Sequence, residues 1–336
     1  MPLDLEALTG RLPAGYRARD FTEDDRDALV ALRNSKVPPI EQGDADEWRD
    51  WERMAPDDSL VRFTIEAPGG SLAGSGNVGK GSMMRMPDGA VFGGVTVAPE
   101  HRRKGIGSAV LATLEALARE MGAPRFLSGG SERWRFGVEW AEKRGFREIG
   151  RRIESYVDLA TFEPERYRDL ADRPRGAGIR LCAFSEVLAD AGDDAREKFF
   201  HDLWEAEAPM WDDVPWATPT PHWSYEQFRR MAVESGKLIG DASIIAYAGS
   251  EIAGFTTAGK KDKNDGYTWM TGVAREHRGK GLAHALKVET LARAKALGTR
   301  AMFTTNDEPN NAMRGVNAKL GYQMLPANVQ LEKTLA

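Results

Sequence analysis

Two nearly identical basic, glycine-spaced decapeptides constrain this chain of 336 residues more than any other feature. EHRRKGIGSA spans residues 100–109, and EHRGKGLAHA spans residues 276–285. The two copies are 176 positions apart, and the same offset separates Gly145 from Gly321 further along the chain. Two distant landmarks that share one offset indicate the duplication of a long segment, so we expect two related domains.

The duplicated halves are predicted to be domains of residues 1–165 and 176–336, each long enough to bury its own core. Between them lies the segment ATFEPERYRDLADRPRGAGIR, in which proline, glycine and alternating charge interrupt the periodic pattern. In the first half, the patterns predict a strand, two helices, a hairpin and a buried strand, in GYRARDF, TEDDRDALVALRNS, DADEWRDWERM, LVRFTIEAPGGSLAGSGNV and AVFGGVTVA. Further strands are predicted at RFLSGG, FREIGRRI and ESYVDL, and the second half repeats the order with SIIAYAG, EIAGFTTAG and YTWMTGVA.

A helix is predicted after each decapeptide. Its inward face should carry Ile106, Val110, Leu111, Leu114 and Leu117 in the first half, and Leu282, Ala285, Leu286, Ala292, Ala296 and Leu297 in the second. Strands and helices in this order predict the α/β (α+β) class. We expect two tandem folds, each a mixed, mostly antiparallel twisted sheet flanked by helices.

Each decapeptide lies between a predicted strand and a predicted helix. Glycines there leave the N–H groups of the first helical turn unpaired and keep side chains away from a ligand. The positive end of the helix dipole suits a phosphate, as do the flanking basic residues, which are Arg102, Arg103, Lys104, Arg278 and Lys280. For one copy alone, an ordinary turn with solvated basic residues explains the pattern equally well.

The bulk composition argues against several classes of protein. A net charge of −5 and a pI near 5.7 disfavour a general nucleic-acid binder. We expect a cytoplasmic protein with no membrane partner, because no apolar run approaches the ~18 residues of a membrane span and no secretory signal pattern opens the chain. The five histidines lack metal-site spacing, so no metal is expected, and Cys182 is expected to be a buried core thiol.

A strand, then V-x-x-x-x-R-x-x-G-x-G/A, a helix, a further strand and a late N-x-x-x-x-x-x-N-x-x-L-G-Y element resemble the GNAT superfamily of acyltransferases, which use acetyl-coenzyme A. The resemblance covers both halves and is strongest in VAREHRGKGLAHAL and TTNDEPNNAMRGVNAKLGY. The layout is similar to tandem GNAT proteins, a group that includes mycothiol synthase. The resemblance implies acetyl-coenzyme A as co-substrate, with its pyrophosphate held by the turn from Arg278 to Ala283 and its pantetheine arm and thioester near Val273.

The cofactor-binding residues implied by the resemblance fall in both copies. In the second half they are Val273, Arg278, Gly279, Lys280, Gly281, Leu282, Ala283, Asn306 and Asn310. In the first half they are Val97, Arg102, Arg103, Lys104, Gly105 and Gly107.

The family often places a general-acid tyrosine five residues before the aromatic of the final G-F/Y pair. Here Asn317 and Ala141 stand at that position in the second and first halves. Asn317 is a candidate for binding the substrate or the cofactor sulfur, or else a helix-surface asparagine. Asn310 is a candidate ligand of the cofactor or a plain helix N-cap. At the repeat offset, Trp134 of the first half corresponds to Asn310, and Gly130 corresponds to Asn306. Because the polar residues are in the second half, we expect the second half to catalyse.

The resemblance implies that the binding site for the acceptor substrate is lined by the segment EAEAPMWDDVPWATPTPHWSYEQF. Carboxylates beside tryptophans suit a cationic amine, so either Asp213 or its neighbour Asp212 is predicted to anchor the amine and to be a candidate base. Glu205 and Glu207 are further base candidates. A loop packed by its own aromatics, Trp211, Trp216 and Trp223, is the alternative interpretation.

These predictions describe an N-acetyltransferase that acts on a small amine, as a monomer with an internal pseudo-dimer or as a homodimer. An amine must lose a proton before it attacks a thioester, which is why a carboxylate is sought. Two alternatives remain open. One is a non-catalytic acyl-coenzyme A binding or sensing protein, and the other is a thiol-cofactor acetyltransferase like mycothiol synthase.

Overall fold

The fold is described from a computed structural model, which covers residues 3–81, 85–216 and 220–335. The chain forms two compact units. They consist of Met1–Ile149 with Val329–Ala336, and of Gly150–Asn328. We call them unit 1 and unit 2. Each contains a mixed, mostly antiparallel sheet flanked by helices, which confirms the predicted fold class.

Unit 1 begins with a short helix and then follows the predicted order. Its helices are α1 (Leu5–Thr9), α2 (Glu23–Asn34), α3 (Ala45–Met54), α4 (Ile106–Glu120) and α5 (Arg135–Glu142). Its strands are β1 (Arg17–Asp20), β2 (Val61–Glu66), β3 (Leu72–Gly79), β4 (Val91–Val97), β5 (Arg125–Ser131) and β13 (Asn328–Thr334), which also lie in this order across the sheet. β4 and β5 pair in parallel, and β1 through β4 pair antiparallel.

The apolar core of unit 1 packs around α4, whose buried residues include all five of the predicted inward positions. The contacts of α2 are different in kind, because its buried residues are Asp25 and Arg26. Asp25 accepts hydrogen bonds from Arg19 at 2.7 and 2.8 Å and from Thr64 on β2 at 2.9 Å. Arg26 places its guanidinium 5.3 Å from the ring centroid of Trp48 on α3. Charge pairs and cation–π contacts therefore replace much of the apolar packing on this helix.

Unit 2 repeats the order. Its helices are α6 (Arg168–Gly176), α7 (Phe184–Leu188), α8 (Asp193–Asp212), α9 (Tyr225–Phe228), α10 (Leu282–Ala296) and α11 (Asn311–Lys319). Helix α8, of 20 residues, is longer than α2 of unit 1, which has 12. Its strands are β6 (Arg147–Asp158, within the unit from Gly150), β7 (Ile179–Ala183), β8 (Ile244–Ala248), β9 (Glu251–Lys260), β10 (Gly266–Val273), β11 (Ala301–Asp307) and β12 (Gln323–Met324). The sheet order is β6-β11-β10-β9-β8-β7, and the β10–β11 pair is parallel.

The core of unit 2 lies on both sides of its sheet. Leu282, Ala285 and Leu286 of α10 are buried as predicted. The inward placement of Ala296 and Leu297 is wrong, because α10 ends at Ala296 and Leu297 is 52% exposed. Gly298 follows in the left-handed conformation and ends the helix there. Cys182 lies buried in β7, and among the described residues no helix is long and apolar enough to cross a membrane.

The compact units do not divide at the seam of the sequence repeat. The predicted strands FREIGRRI and ESYVDL form one strand, β6, and seven of its residues pair with β11 in unit 2. The last strand of the chain, β13, lies beside β5 in unit 1. At the repeat offset, β6 matches β12 and β13. Each unit therefore completes its sheet with a strand that belongs to the other half of the repeat.

Candidate active site

The second decapeptide forms a tight turn that opens α10. Gly279 and Gly281 have φ of +73° and +85°, a left-handed conformation that strains other residues. Gly281 is the N-cap and offers no side-chain acceptor, and the described first turn of α10 carries no acidic residue. The first N–H groups of α10, starting at Leu282 and Ala283, are therefore available to an anion at the positive end of the helix.

The first decapeptide forms a turn of the same kind in unit 1. Gly105 has φ of +87°, and Arg103, at φ of +62°, occupies the place of a glycine. Arg102 and Arg278 each donate from Nε to the carbonyl of the strand's last residue, at 3.0 Å to Val97 and 2.9 Å to Val273. The turn geometry was therefore predictable from the motif in both copies.

The side chains around the first turn are engaged by other residues of unit 1. The Arg102 guanidinium lies 4.4 Å from the ring centroid of Phe136. Lys104 donates to the hydroxyl of Tyr16 at 3.0 Å. A Cβ at Gly107 would lie 3.2 Å from the Trp140 ring. Aromatic residues thus crowd this turn from α5, whereas the second turn meets Arg173 of α6, whose Cδ lies 3.5 Å from where a Gly281 Cβ would be.

Next to each turn, two parallel strands diverge into a wedge. The described pairing of β10 with β11 consists of Gly266 with Met302 and Tyr267 with Phe303, although both strands continue for several residues. β4 and β5 likewise pair at two positions. Diverging strands expose backbone N–H and C=O groups to a ligand that can insert between them. The wedge points at the turn that follows β10, so turn and wedge form one continuous candidate cofactor site.

The two wedges differ by a β-bulge. The pairing of β10 with β9 shifts between Thr268 and Met270, so Trp269 is an extra residue. β4 pairs with β3 without a shift, and Gly93 pairs there with Val78 where Thr268 pairs with Ala258. Bulges re-aim side chains and are frequent beside active sites. A constant offset hides this insertion, so sequence comparison did not find it.

The Asp213 carboxylate, predicted to bind the amine, is bonded to two arginines instead. At the end of α8 it accepts from Arg275 Nε at 3.0 Å and from Arg278 Nη2 at 2.6 Å. These hydrogen bonds hold the pKa of Asp213 well below its usual range. A carboxylate with a lowered pKa is a poorer proton acceptor, so the pairing speaks against a role as base. Asp212, the last residue of α8, is exposed.

We expect Asp213→Asn to raise KM for acetyl-coenzyme A about threefold to fivefold, the range of an exposed ion pair, because Arg278 loses the group that holds it at the turn. KM for the amine should change less than twofold. Steady-state kinetics with each substrate varied would measure both constants, with Asp212→Asn as the matched control. A tenfold or larger rise in KM for the amine alone would restore the amine-anchoring hypothesis.

The asparagines predicted near the cofactor divide into two roles. Asn317 donates from Nδ2 to Asn306 Oδ1 at 2.7 Å, which joins α11 to β11 beside the wedge. Asn317 is buried, and its Oδ1 has no hydrogen-bond partner among the described residues. Asn310 is the N-cap of α11 and accepts from the Met313 N–H at 3.1 Å, which is the alternative that the sequence left open.

The predicted acceptor segment is helical as far as Asp212, and residues 217–219 of it lie outside the described residues. Its tryptophans form an aromatic cluster, in which the ring centroids of Trp211 lie 4.8 Å from Trp216 and 6.1 Å from Trp223. Glu207, 7% exposed on α8, lies in this cluster with its Oε2 3.4 Å from His222 Nε2. α8 reaches β10 here, since a Cβ at Gly272 would lie 2.4 Å from the Met210 sulfur.

The Glu205 carboxylate faces outward on α8 instead. It lies 3.7 Å from His201, and these two residues with Asp202 bring possible metal-ligand atoms within 4.8 Å of one another. Exposed acidic groups on a helix commonly form such arrangements without an ion. Of the sequence-derived base candidates, Glu207 is the buried one that contacts a histidine.

The sequence profile of the acetyltransferase (GNAT) family matches residues 26–146 and 197–322. The chain is 25% identical to a mycothiol acetyltransferase of Actinosynnema mirum over 297 residues, which cover 83% of this chain and 86% of that protein.

Two solved structures share the fold. A GCN5-related N-acetyltransferase from Sphaerobacter thermophilus has a TM-score of 0.74 at 19% identity, covering 96% of this chain and 97% of that one. A tandem GNAT protein from the clavulanic acid biosynthesis pathway has a TM-score of 0.70 at 22% identity, covering 96% and 99%. Two duplicated units, each with a diverging pair of parallel strands and a glycine turn that opens a helix, form a tandem acyltransferase architecture. The chain belongs to the acetyltransferase (GNAT) family.

Proposed function

We propose that the protein transfers an acetyl group from acetyl-coenzyme A to the nitrogen of a small amine, and that unit 2 carries out the transfer. The observation that carries this proposal is the continuous site formed by the β10–β11 wedge and the uncapped N-terminus of α10. The bulge at Trp269 and the hydrogen bond of the buried Asn317 to Asn306 support the choice of unit 2, because unit 1 has an unshifted β4 and Gly130 and Ala141 at the matching asparagine positions.

Acetyl-coenzyme A supplies an activated thioester carbonyl. The N–H groups at the start of α10 and the cation of Arg278 bind its pyrophosphate, while exposed N–H groups of β10 beside the wedge orient the carbonyl and stabilise negative charge on its oxygen. Ion pairing with Asp213 fixes Arg278 against the turn. These groups are in place before the ligand binds, which lowers the cost of orienting it.

The acceptor amine needs a proton acceptor, and Glu207 with His222 fits this task. Glu207 is buried on the helix that packs against β10, and its neighbour His222 lies against the rings of Trp204 and Trp211. A buried carboxylate among aromatic rings attracts a cation and can then take its proton through the imidazole. The 3.4 Å separation between Glu207 and His222 is long for a hydrogen bond, as is common before substrate binds.

The test is thiol release from acetyl-coenzyme A in the presence of a library of small amines. With the amine that reacts, Glu207→Gln should lower kcat about a hundredfold or more, the range of a lost general base, while KM for acetyl-coenzyme A stays within twofold. Glu205→Gln, on the exposed side of the same helix, is the matched control. Saturable binding of acetyl-coenzyme A without thiol release for any amine would favour a binding or sensing protein.

A second candidate acceptor is the cysteinyl aminocyclitol substrate of a mycothiol synthase-like enzyme. Similarity to a mycothiol acetyltransferase along 83% of the chain supports it. Its free amine is of the class proposed above. Comparing kcat/KM for that compound and for simple alkylamines would separate the two candidates, since a true substrate uses contacts away from the amine to raise kcat/KM.

A further inference from the structure

Lys287 is a buried lysine that the site described so far does not use. It lies on α10, its side chain is 1% exposed, and its Nζ is 4.8 Å from the ring centroid of Tyr322. Burial lowers the pKa of Lys287 to about 7. A lysine in such a place destabilises the fold when it is charged, which makes its presence informative.

Other charged groups near this part of α10 do not neutralise Lys287. His284 is one turn away, and its pKa is lowered by burial and by the cations Lys319 of α11 and Arg173 of α6. The Glu289 carboxylate is already paired with Arg293 at 2.9 Å and with Arg175 at 3.3 Å. The charge of Lys287 is therefore left without a counter-ion among these neighbours.

Several polar side chains are buried on α10 and on the segments next to Tyr322. Among the described residues, the side-chain oxygens of Thr290 on α10 and of Asn317 on α11 lack a hydrogen-bond partner. The Tyr322 hydroxyl lies toward Thr268, and the Tyr322 N–H donates to the Asn317 carbonyl at 3.1 Å. Buried polar groups left unsatisfied in this way are costly and call for a functional reason.

Unit 1 shows that the fold does not require this polar set. At the repeat offset, Lys287 matches Leu111, Thr290 matches Leu114, and Tyr322 matches Phe146; all three unit 1 residues belong to its apolar core. By pairing register, Thr268 matches Gly93. The same architecture is thus built with an apolar interior in one copy and a polar interior in the other.

The polar set lies at the start of the wedge. Thr268 is the first residue of β10 after the last described pair with β11, and Thr304 is the corresponding residue of β11. Both are buried. Tyr322 follows α11 and lies five residues after Asn317. Position 317 is the one at which the family often has its general acid. The Tyr322 hydroxyl interacts with the Thr268 side chain, and Lys287 lies beside the Tyr322 ring, so both residues lie next to the closed end of the wedge, where the bulge at Trp269 begins.

We propose that Lys287 is the buried cation that stabilises and protonates the departing thiolate of coenzyme A, acting through Tyr322. The inference rests on the proposed function. As the carbon–sulfur bond breaks, its electron pair remains on sulfur. A proton passes from the hydroxyl of Tyr322 to sulfur, and the charged Lys287 then returns a proton to the phenol oxygen. The neutral amine of Lys287 regains its proton from water. This device replaces the missing tyrosine at position 317.

The test uses Lys287→Met in the full chain with coenzyme A, so that it does not depend on the amine. The ultraviolet absorption of the bound thiolate would be followed against pH. Formation of the thiolate favours the charged form of Lys287, and a nearby cation lowers the pKa of an acid by about 1–3 units, so the midpoint should rise by about one pH unit or more in Lys287→Met. Leu111→Met is the matched control in unit 1 and should leave the midpoint unchanged.

Stability separates this role from a structural one. Lys287→Met should raise the thermal midpoint at pH 7, because it removes a buried charge, while kcat with the identified amine falls and KM for the amine stays within twofold. An unchanged thiol midpoint in Lys287→Met would overturn the inference even if stability rises. Failure of the wild-type protein to bind coenzyme A would overturn the proposed function as well.

Discussion

Arg278→Glu is expected to abolish turnover, whereas Arg102→Glu should leave most of it. The change at Arg278 removes a cation from the turn of unit 2, adds a negative charge where pyrophosphate is proposed to bind, and places it beside Asp213. Loss of a charge-assisted hydrogen bond costs ~1.5–3 kcal/mol, and repulsion adds to this. We therefore expect kcat/KM for acetyl-coenzyme A to fall by more than about a hundredfold.

Arg102→Glu is a matched control because the backbone of the two turns is the same. Arg102 contacts the Phe136 ring and the Val97 carbonyl, and both contacts lie in unit 1. Kinetics with acetyl-coenzyme A varied, and calorimetric binding of coenzyme A to each variant, would measure the difference. Equal losses in the two variants would mean that the turns contribute equally to turnover.

Asp25→Ala is expected to destabilise unit 1 by about 2–4 kcal/mol, somewhat below the full cost of breaking a buried ion pair because Arg19 is partly exposed. Asp25 accepts five hydrogen bonds from Arg19, Thr22 and Thr64, so its removal takes this acceptor from three residues at once. Asp24→Ala, at the exposed neighbouring position on α2, should change stability by less than ~0.5 kcal/mol. Denaturant unfolding of both variants would measure these values.

Asp25 also makes stability depend on pH. Burial favours its protonated form, but the hydrogen bonds from Arg19, Thr22 and Thr64 outweigh burial and lower the pKa of Asp25 to about 2. Because the folded-state pKa is below the unfolded value near 3.8, this stabilisation is present above about pH 4 and is lost as pH falls toward 2. The Asp25→Ala variant should lose stability less steeply in that range, and parallel curves for both proteins would contradict the assignment.

The fold and the turn were predictable because their signals are local. Periodicity marked α4 and α10, and the glycines of the decapeptides marked a turn that other residues adopt only with strain. The pairing of Asp213 with Arg275 and Arg278 was not predictable. It joins residues more than sixty positions apart, and acidic residues beside tryptophans fit an amine site equally well from sequence.

The interior of unit 2 was missed for a different reason. A pattern-based analysis places lysine on the outer face of a helix, so Lys287 could not be recognised as buried. The offset of 176 does align Lys287 with Leu111, and that mismatch is the signal that could have revealed it. His222 was missed because a single histidine in an irregular segment has no pattern, and its contact with Glu207 depends on the path of the chain after α8.

The exchange of final strands between the halves limits how the chain can be divided. A fragment of residues 176–336 would leave β11 without β6 and would carry β13 without its neighbour β5. Open strand edges of this kind promote aggregation. Neither half is therefore expected to fold as an independent module when the chain is cut at the repeat boundary. A fragment that follows the compact units would instead be Gly150–Asn328, which retains all seven of the β6 residues that pair with β11.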